Sequence, residues 1–103
     1  MQVLELVTFK TKQGVSKQQI LDINKQVMEQ VRQFSGFIYR SLCYKADSDT
    51  WLDVVYWQDE VSAKSAQEQF IKSKLCQQLM ANLDVESATM PHADILLSSC
   101  SES

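Results

Sequence analysis

The side chains that could do chemistry in this chain are few and lie far apart in the sequence. His92 is the only histidine, and an imidazole can act as a general base or acid near neutral pH. Arg40 could stabilise an enolate or phenolate, because a cation placed where negative charge develops lowers the barrier. Both also have ordinary structural explanations: a surface or interface histidine, and an arginine in a salt bridge to Asp53 or Glu5.

Aromatic side chains could bind a ligand beside these two residues. Trp57 could form the wall of a pocket, while Tyr39, Tyr44 and Tyr56 could orient a phenolic or quinone-like compound. Packing within the protein is the alternative role for all four. A buried indole N–H needs a hydrogen-bond acceptor in either case, so the sequence predicts an acceptor close to Trp57.

Other classes of site have little support. The three cysteines, Cys43, Cys76 and Cys100, are widely spaced and accompany a single histidine, which is neither a disulfide framework nor a metal-binding motif. Only two glycines are present, so phosphate-binding loops and dinucleotide fingerprints are missing. No Ser-His-Asp set can be argued from the spacing. We therefore expect no metal and no cofactor.

Length, charge and hydropathy restrict the partners. The 103 residues, 45% hydrophobic and 22% charged, predict one globular domain over residues 2–97 and a disordered polar tail at 98–103. A net charge of −3 without a basic patch argues against nucleic acid. No apolar run approaches the roughly 20 residues that span a bilayer, and the N-terminus lacks signal-peptide features. We expect a cytoplasmic protein without a membrane partner.

The strand that must position Trp57 is the most strongly patterned stretch of the chain. Residues 50–58, TWLDVVYWQ, are rich in β-branched and aromatic side chains, which favour a packed sheet. Both faces of this strand are largely apolar, so each face needs a covering layer. One layer can come from the chain's own helices. The chain looks too short to supply the other, which favours a dimer.

The remaining pattern predicts the elements around this strand. Strands are expected at 2–10 and 37–45, a helix from 16 to about 36, two helical segments after 59 and 73, and a last strand over 84–97. Ser16 and Gln19 form a capping box, and Asp59 and Ser73 are further N-caps. Pro91 should interrupt the last strand at a sheet edge. Simple alternation places Phe37 and Tyr39 on one face of their strand.

The order strand, helix, strand, strand, split helix, strand is typical of the split βαβ arrangement. We therefore predict an α+β, ferredoxin-like fold: an antiparallel four-stranded sheet with helices on one face. The open face would pair with a second copy in a homodimer.

The chain resembles the antibiotic biosynthesis monooxygenase (ABM) family, whose members are dimeric α+β barrels. The resemblance covers about residues 2–97. It depends on Phe9-Lys10 with Gly14, on Gly36-Phe37, and on the run 53–57 followed by Asp59-Glu60 and an alanine-containing helix. It implies a cofactor-independent monooxygenase acting on a small aromatic or quinol-like compound. Such an enzyme deprotonates its substrate and transfers an electron from the carbanion to O₂.

On this resemblance the candidate catalytic residues are His92 and Arg40, and the candidate ligand-binding residues are Trp57, Tyr56 and Tyr39. In haem-degrading members of the family, the tryptophan at the position of Trp57 accompanies an asparagine in the first strand and a histidine in the second helical region. This chain has Val7 at the first position and Leu79 or Met80 at the second, so haem degradation is not expected.

Two non-catalytic functions remain as alternatives: a dimeric protein that binds a small apolar ligand, and a structural protein that acts through its dimer surface. An enzyme predicts converging polar groups at an open pocket, and a ligand carrier predicts an almost entirely apolar one. A structural protein predicts no pocket of ligand size, for which about 300 Å³ is the lower bound.

Overall fold

The strands of the computed structural model, which describes residues 1–99, form one antiparallel sheet with three helices on one face. The elements are β1 (Val3–Thr11), α1 (Lys17–Val31), β2 (Phe37–Lys45), β3 (Thr50–Trp57), α2 (Glu60–Ile71), α3 (Lys74–Met80), β4 (Leu83–Thr89) and β5 (His92–Asp94). The predicted α+β, ferredoxin-like fold is confirmed, and each predicted element lies within a few residues of its expected position.

The sheet has the strand order β2-β3-β1-β4, and β5 pairs with the first half of β1. Strands β4 and β5 are thus two pieces of one edge, interrupted where Pro91 was predicted to break it. The Pro91 carbonyl still accepts a hydrogen bond from the Leu6 N–H at 3.0 Å. The prediction that this strand continues to residue 97 is wrong: β5 ends at Asp94, and the side chains of Leu96 and Leu97 are exposed.

The helices begin where the capping residues predicted. Ser16 and Gln19 form the complete capping box of α1. The side chains of Asp59 and Ser73 accept hydrogen bonds from the third residue beyond them, at the starts of α2 and α3. Gly36 has φ +85° in the connection from α1 to β2, a conformation that glycine adopts without a steric penalty.

Two apolar clusters fill the space between sheet and helices. One cluster contains Val3, Val27, Val31, Val55, Trp57, Ala63 and Ala66, and the other contains Phe9, Ile20, Trp51, Leu79 and Leu83. A polar layer separates them, because Asp53 lies between Trp51 and Val55 along β3. Asn24 occupies the equivalent place along α1, between Ile20 and Val27.

An irregularity at the start of β2 changes the predicted faces of that strand. Phe37 pairs with Trp57 and Tyr39 pairs with Tyr56, so Ile38 is an extra residue in the ladder. The two positions therefore lie on opposite faces, and Phe37 packs edge-on against Trp57 in the core. The prediction that Phe37 and Tyr39 share a face is wrong, because simple alternation does not allow for a bulge.

The C-terminal tail lies largely outside the described part of the chain. The disorder predicted for residues 98–103 falls on residues 100–103, including Cys100, which are not described. Within residues 1–99, no helix has the length and apolar character needed to cross a bilayer.

Candidate functional site

A row of polar side chains crosses the helix-covered face of the sheet. Arg40 on β2 pairs with Val55 on β3, Val55 pairs with Glu5 on β1, and Glu5 pairs with His92 on β5. Arg40, Glu5 and His92, here called the polar row, therefore lie on one line across four strands. Three strand spacings of about 4.8 Å place the Cα atoms of Arg40 and His92 about 14 Å apart.

Arg40 forms one end of the polar row, and its side chain is only 1% exposed. Its Nε and Nη2 donate to the two carboxylate oxygens of Asp53 at 2.9 and 2.7 Å. Nη2 also donates to the Asn24 side-chain oxygen at 2.7 Å. The salt bridge to Asp53 offered as the structural explanation is present. The buried Nη1 has no partner within the described chain, so this cation retains a donor.

Glu5 lies at the middle of the row and is buried. Its Oε1 accepts a hydrogen bond from the indole N–H of Trp57 at 2.9 Å, which is the acceptor that the sequence predicted for Trp57. Burial raises the pKa of Glu5 above its ordinary value of 4.5. The Trp57 hydrogen bond and the charge of His92 act in the opposite direction. The environment therefore favours a proton on Glu5 more than water does.

His92 forms the other end of the row, where it lies between two carboxylates. Its Nδ1 is 2.8 Å from Oε2 of Glu60, the first residue of α2, and its Nε2 is 3.9 Å from Oε2 of Glu5. The side chains of His92 and Glu60 are 18% and 43% exposed. Solvent therefore reaches the row at this end, while Glu5 and Trp57 lie inside.

The five predicted site residues separate into two groups. Arg40, His92 and Trp57 lie on the helix-covered face. Tyr39 and Tyr56 pair on the open face, with their rings edge-on and the centroids 5.5 Å apart. A compound held beside Trp57 does not contact these tyrosines, because the sheet lies between them. Their role in ligand binding stays a prediction.

Sequence reasoning did not identify Glu5 and Glu60 as members of the site. It treated Glu5 only as a possible salt-bridge partner of Arg40. The available signal was a carboxylate at an inward position between Val3 and Val7, where burial is costly unless the group is hydrogen-bonded. Glu60 carried no such signal, because an acidic residue in the first turn of a helix is common.

The potential metal-ligating side chains of the described residues do not form a metal site. Among residues 1–99, no group of three or more His, Cys, Asp or Glu side chains is arranged to hold an ion. The polar row instead provides a carboxyl–imidazole pair at one end and a cation with a spare donor at the other. Such a set can accept a proton from a bound molecule and stabilise the resulting anion.

A surface groove of about 480 Å³ lies elsewhere, between residues 11–13 and 83–86. It is six residues along β1 from Glu5, which corresponds to about 20 Å. The groove is open to solvent, and none of the predicted site residues lines it. We therefore place the candidate site at the polar row rather than in this groove.

No protein-family model and no curated protein matches the chain. Solved structures do match over almost the whole chain. A single-residue variant of SnoaB, a cofactor-independent oxygenase from Streptomyces nogalater, superposes with a TM-score of 0.79 at 12% identity, covering 95% of this chain and 96% of that one. Rv0793 from Mycobacterium tuberculosis gives a TM-score of 0.74 at 11% identity, with coverages of 96% and 99%.

A structure of an antibiotic biosynthesis monooxygenase gives a TM-score of 0.72 at 12% identity, with coverages of 92% and 99%. At such identities the similarity shows the fold. The resemblance drawn from the sequence is confirmed at this level.

Proposed function

We propose that this chain, which has the fold of the antibiotic biosynthesis monooxygenases, is a cofactor-independent monooxygenase of a small aromatic or quinol-like compound. The observation that carries the proposal is the polar row. A proton-accepting end at His92 and Glu5 and a buried cation at Arg40 lie on one face of the sheet, beside the indole of Trp57. The neighbouring Val3 and Val55 belong to the apolar core cluster that contains Trp57.

The chemistry needs only these groups and O₂. His92 and Glu5 accept a proton from an activated carbon of the substrate, and Arg40 Nη1 stabilises the enolate or phenolate oxygen that gains the charge. The carbanion transfers an electron to O₂, and the two radicals combine to a hydroperoxide. Loss of water leaves a carbonyl. One CH₂ group and one O₂ become one C=O and one H₂O, so the substrate supplies all the electrons.

We also propose that the chain works as a homodimer joined through the open sheet face. Within residues 1–99, no helix covers the half-buried apolar side chains of that face: Leu4, Leu6, Leu52, Val54 and Tyr56. Apolar surface of this kind is typical of an interaction site. Sedimentation equilibrium at micromolar concentration measures this state, and a monomer there would contradict the dimer.

Oxygen consumption with a panel of anthrones and hydroquinones, without added flavin or metal, tests the proposed activity. We expect uptake by the wild type and a loss of about 100-fold in His92→Gln, the usual range for removing a general base. Glu86→Gln, an exposed carboxylate on β4 outside the row, should retain full uptake. An equal rate in the wild type and His92→Gln would contradict the assignment.

Ligand binding without turnover is the second candidate function. It is favoured by the way the polar groups already satisfy one another: Asp53 and Asn24 bind Arg40, and Trp57 binds Glu5. Quenching of tryptophan fluorescence by an anthrone, without oxygen uptake for any compound of the panel, would establish this function in place of the oxygenase.

A further inference from the structure

The hydrogen bond between His92 and Glu60 selects one tautomer of the neutral imidazole. An ionised carboxylate can only accept hydrogen bonds, so the Nδ1 atom, 2.8 Å from Glu60 Oε2, carries the ring proton. In the neutral ring Nε2 then has a free lone pair. That lone pair lies on the side of Glu5, whose Oε2 is 3.9 Å away. A side-chain movement of about 1 Å brings the two atoms to hydrogen-bond distance.

Charged groups surround Glu5 from several elements. His92 faces it from β5 and Arg40 from β2, and both favour the carboxylate, while Asp53 on β3 disfavours it. Trp57, also on β3, donates to it. Glu60 on α2 faces only the far side of His92. The effect of burial exceeds the others, and it raises the pKa of Glu5. Glu5 can therefore hold a proton in the interior.

Exposure increases from Glu5 through His92 to Glu60. The side-chain values are 10%, 18% and 43%. The three groups thus connect the indole of Trp57, in the core, with solvent at the start of α2. Arg40 is not part of this connection, because Asp53 holds its guanidinium in a two-point ion pair.

We propose that Glu5, His92 and Glu60 form a proton relay between the interior and solvent. Glu5 accepts a proton at Oε2 and passes it to His92 Nε2, and the imidazolium releases its Nδ1 proton to Glu60. Water then removes the proton from Glu60 and exchange restores the Nδ1–H tautomer. Only protons move, so charge is conserved in every step. Only one step of the relay rests on the proposed function, namely that the first proton comes from a substrate carbon.

NMR of the ¹⁵N-labelled protein tests the relay without any substrate. Between pH 4 and 8, the Trp57 indole N–H should show a titration step with a midpoint above 4.5, while Trp51, in the other apolar cluster, serves as the internal reference. Glu5→Gln should abolish the step, and Glu86→Gln should leave it unchanged. His92→Gln should move it to higher pH, because an imidazolium favours the carboxylate.

The single histidine makes its ring nitrogens unambiguous. The neutral ring should carry its proton on Nδ1, and Glu60→Ala should remove this preference. An Nε2–H tautomer in the wild type would overturn the relay, because Nε2 could not accept a proton from Glu5. A Trp57 step that does not move in His92→Gln would overturn it as well.

Measurements of oxygen uptake distinguish a failure of the relay from a failure of the proposed oxygenase activity. Glu5→Gln should lose uptake, and His92→Ala should lose it but recover in part when imidazole is added to the buffer. Full uptake by Glu5→Gln would overturn the relay and leave an oxygenase in which His92 alone accepts the substrate proton. If the wild type consumes no oxygen, the oxygenase proposal fails, and the NMR titrations alone decide the relay.

Discussion

Arg40 and Asp53 place an ion pair inside the apolar core, and Asn24 completes their hydrogen bonding. Removing such charges from water costs free energy, and replacing a buried pair with apolar residues is often neutral or stabilising. The arrangement is therefore not the one that maximises stability. It is explained more simply if the orphaned Nη1 of Arg40 has a ligand to bind.

Removing one partner of this ion pair should lower the free energy of unfolding more than replacing both partners with neutral residues. Arg40→Ala leaves the Asp53 carboxylate buried without its partner, and we expect a loss of about 3–5 kcal/mol in the free energy of unfolding. Arg40→Gln combined with Asp53→Asn keeps neutral hydrogen-bonding groups and should lose less. Urea denaturation at pH 7 measures both. Equal losses in the two variants would show that the charges are not coupled.

The raised pKa of Glu5 has a consequence for stability. Because the pKa is higher in the folded protein than in the unfolded chain, the stabilising contribution of Glu5 is complete below the ordinary value of 4.5. It is lost as the pH rises through the folded pKa. Glu5→Gln keeps an acceptor for Trp57 but cannot ionise.

We therefore expect Glu5→Gln to be more stable than the wild type at pH 7, by about 0.5–2 kcal/mol, the gain that a single stabilising substitution commonly gives. The difference should shrink towards pH 4. Thermal unfolding of both proteins across this range measures it, and a difference that is independent of pH would contradict the burial of an ionised Glu5.

The sequence identified His92, Arg40 and Trp57 by their chemistry, but it could not place them relative to one another. The polar row exists because of strand register: Glu5 pairs with both Val55 and His92. The pairing of Glu5 with His92 depends on the length of the interruption between β4 and β5 at Pro91. No local sequence pattern predicts that length. Alternation along β2 does place Tyr39 and Arg40 on different faces, and the strand pairing confirms this separation.

At the scale of elements, local chemistry predicted the starts of the helices better than the ends of the strands. Ser16, Asp59 and Ser73 each cap a helix as expected, because a cap is made within a few residues. The end of β5 was missed, because the apolar run at 95–97 continues the pattern but has no strand to pair with over its full length. The bulge at Ile38 was missed because alternation along one strand does not reveal an extra residue relative to its partner strand.

The two glycines provide a comparison at this scale. Both have positive φ, but a Cβ at Gly14 would meet open space, whereas a Cβ at Gly36 would lie 2.4 Å from the Cβ of Ser62 on α2. Gly14→Ala should cost about 1–2 kcal/mol through backbone strain alone. Gly36→Ala should cost about 1–3 kcal/mol more through overpacking. Chemical denaturation measures both, and equal losses would mean that α2 moves away without a penalty.

At the scale of the whole molecule, the fold class followed from the order of elements and from the apolar character of both faces of β3. The helices cover one face, and Trp51, Val55 and Trp57 are buried beneath them. Leu52, Val54 and Tyr56 on the other face remain half-exposed. The same pattern that predicted the sheet thus indicates where the second layer of the proposed homodimer belongs.

A charge at the centre of the open face should therefore prevent the proposed dimerisation. Val54 lies between Ser41 and Leu6 on neighbouring strands, so in the proposed open-face dimer Val54→Lys would bury one like charge from each copy in the interface. We expect the dimer dissociation constant to rise about 100-fold or more, since each 1.4 kcal/mol is a factor of about ten. Val61→Lys, on the exposed side of α2, is the matched control. Sedimentation equilibrium would contradict the open-face interface if Val54→Lys stays as dimeric as Val61→Lys.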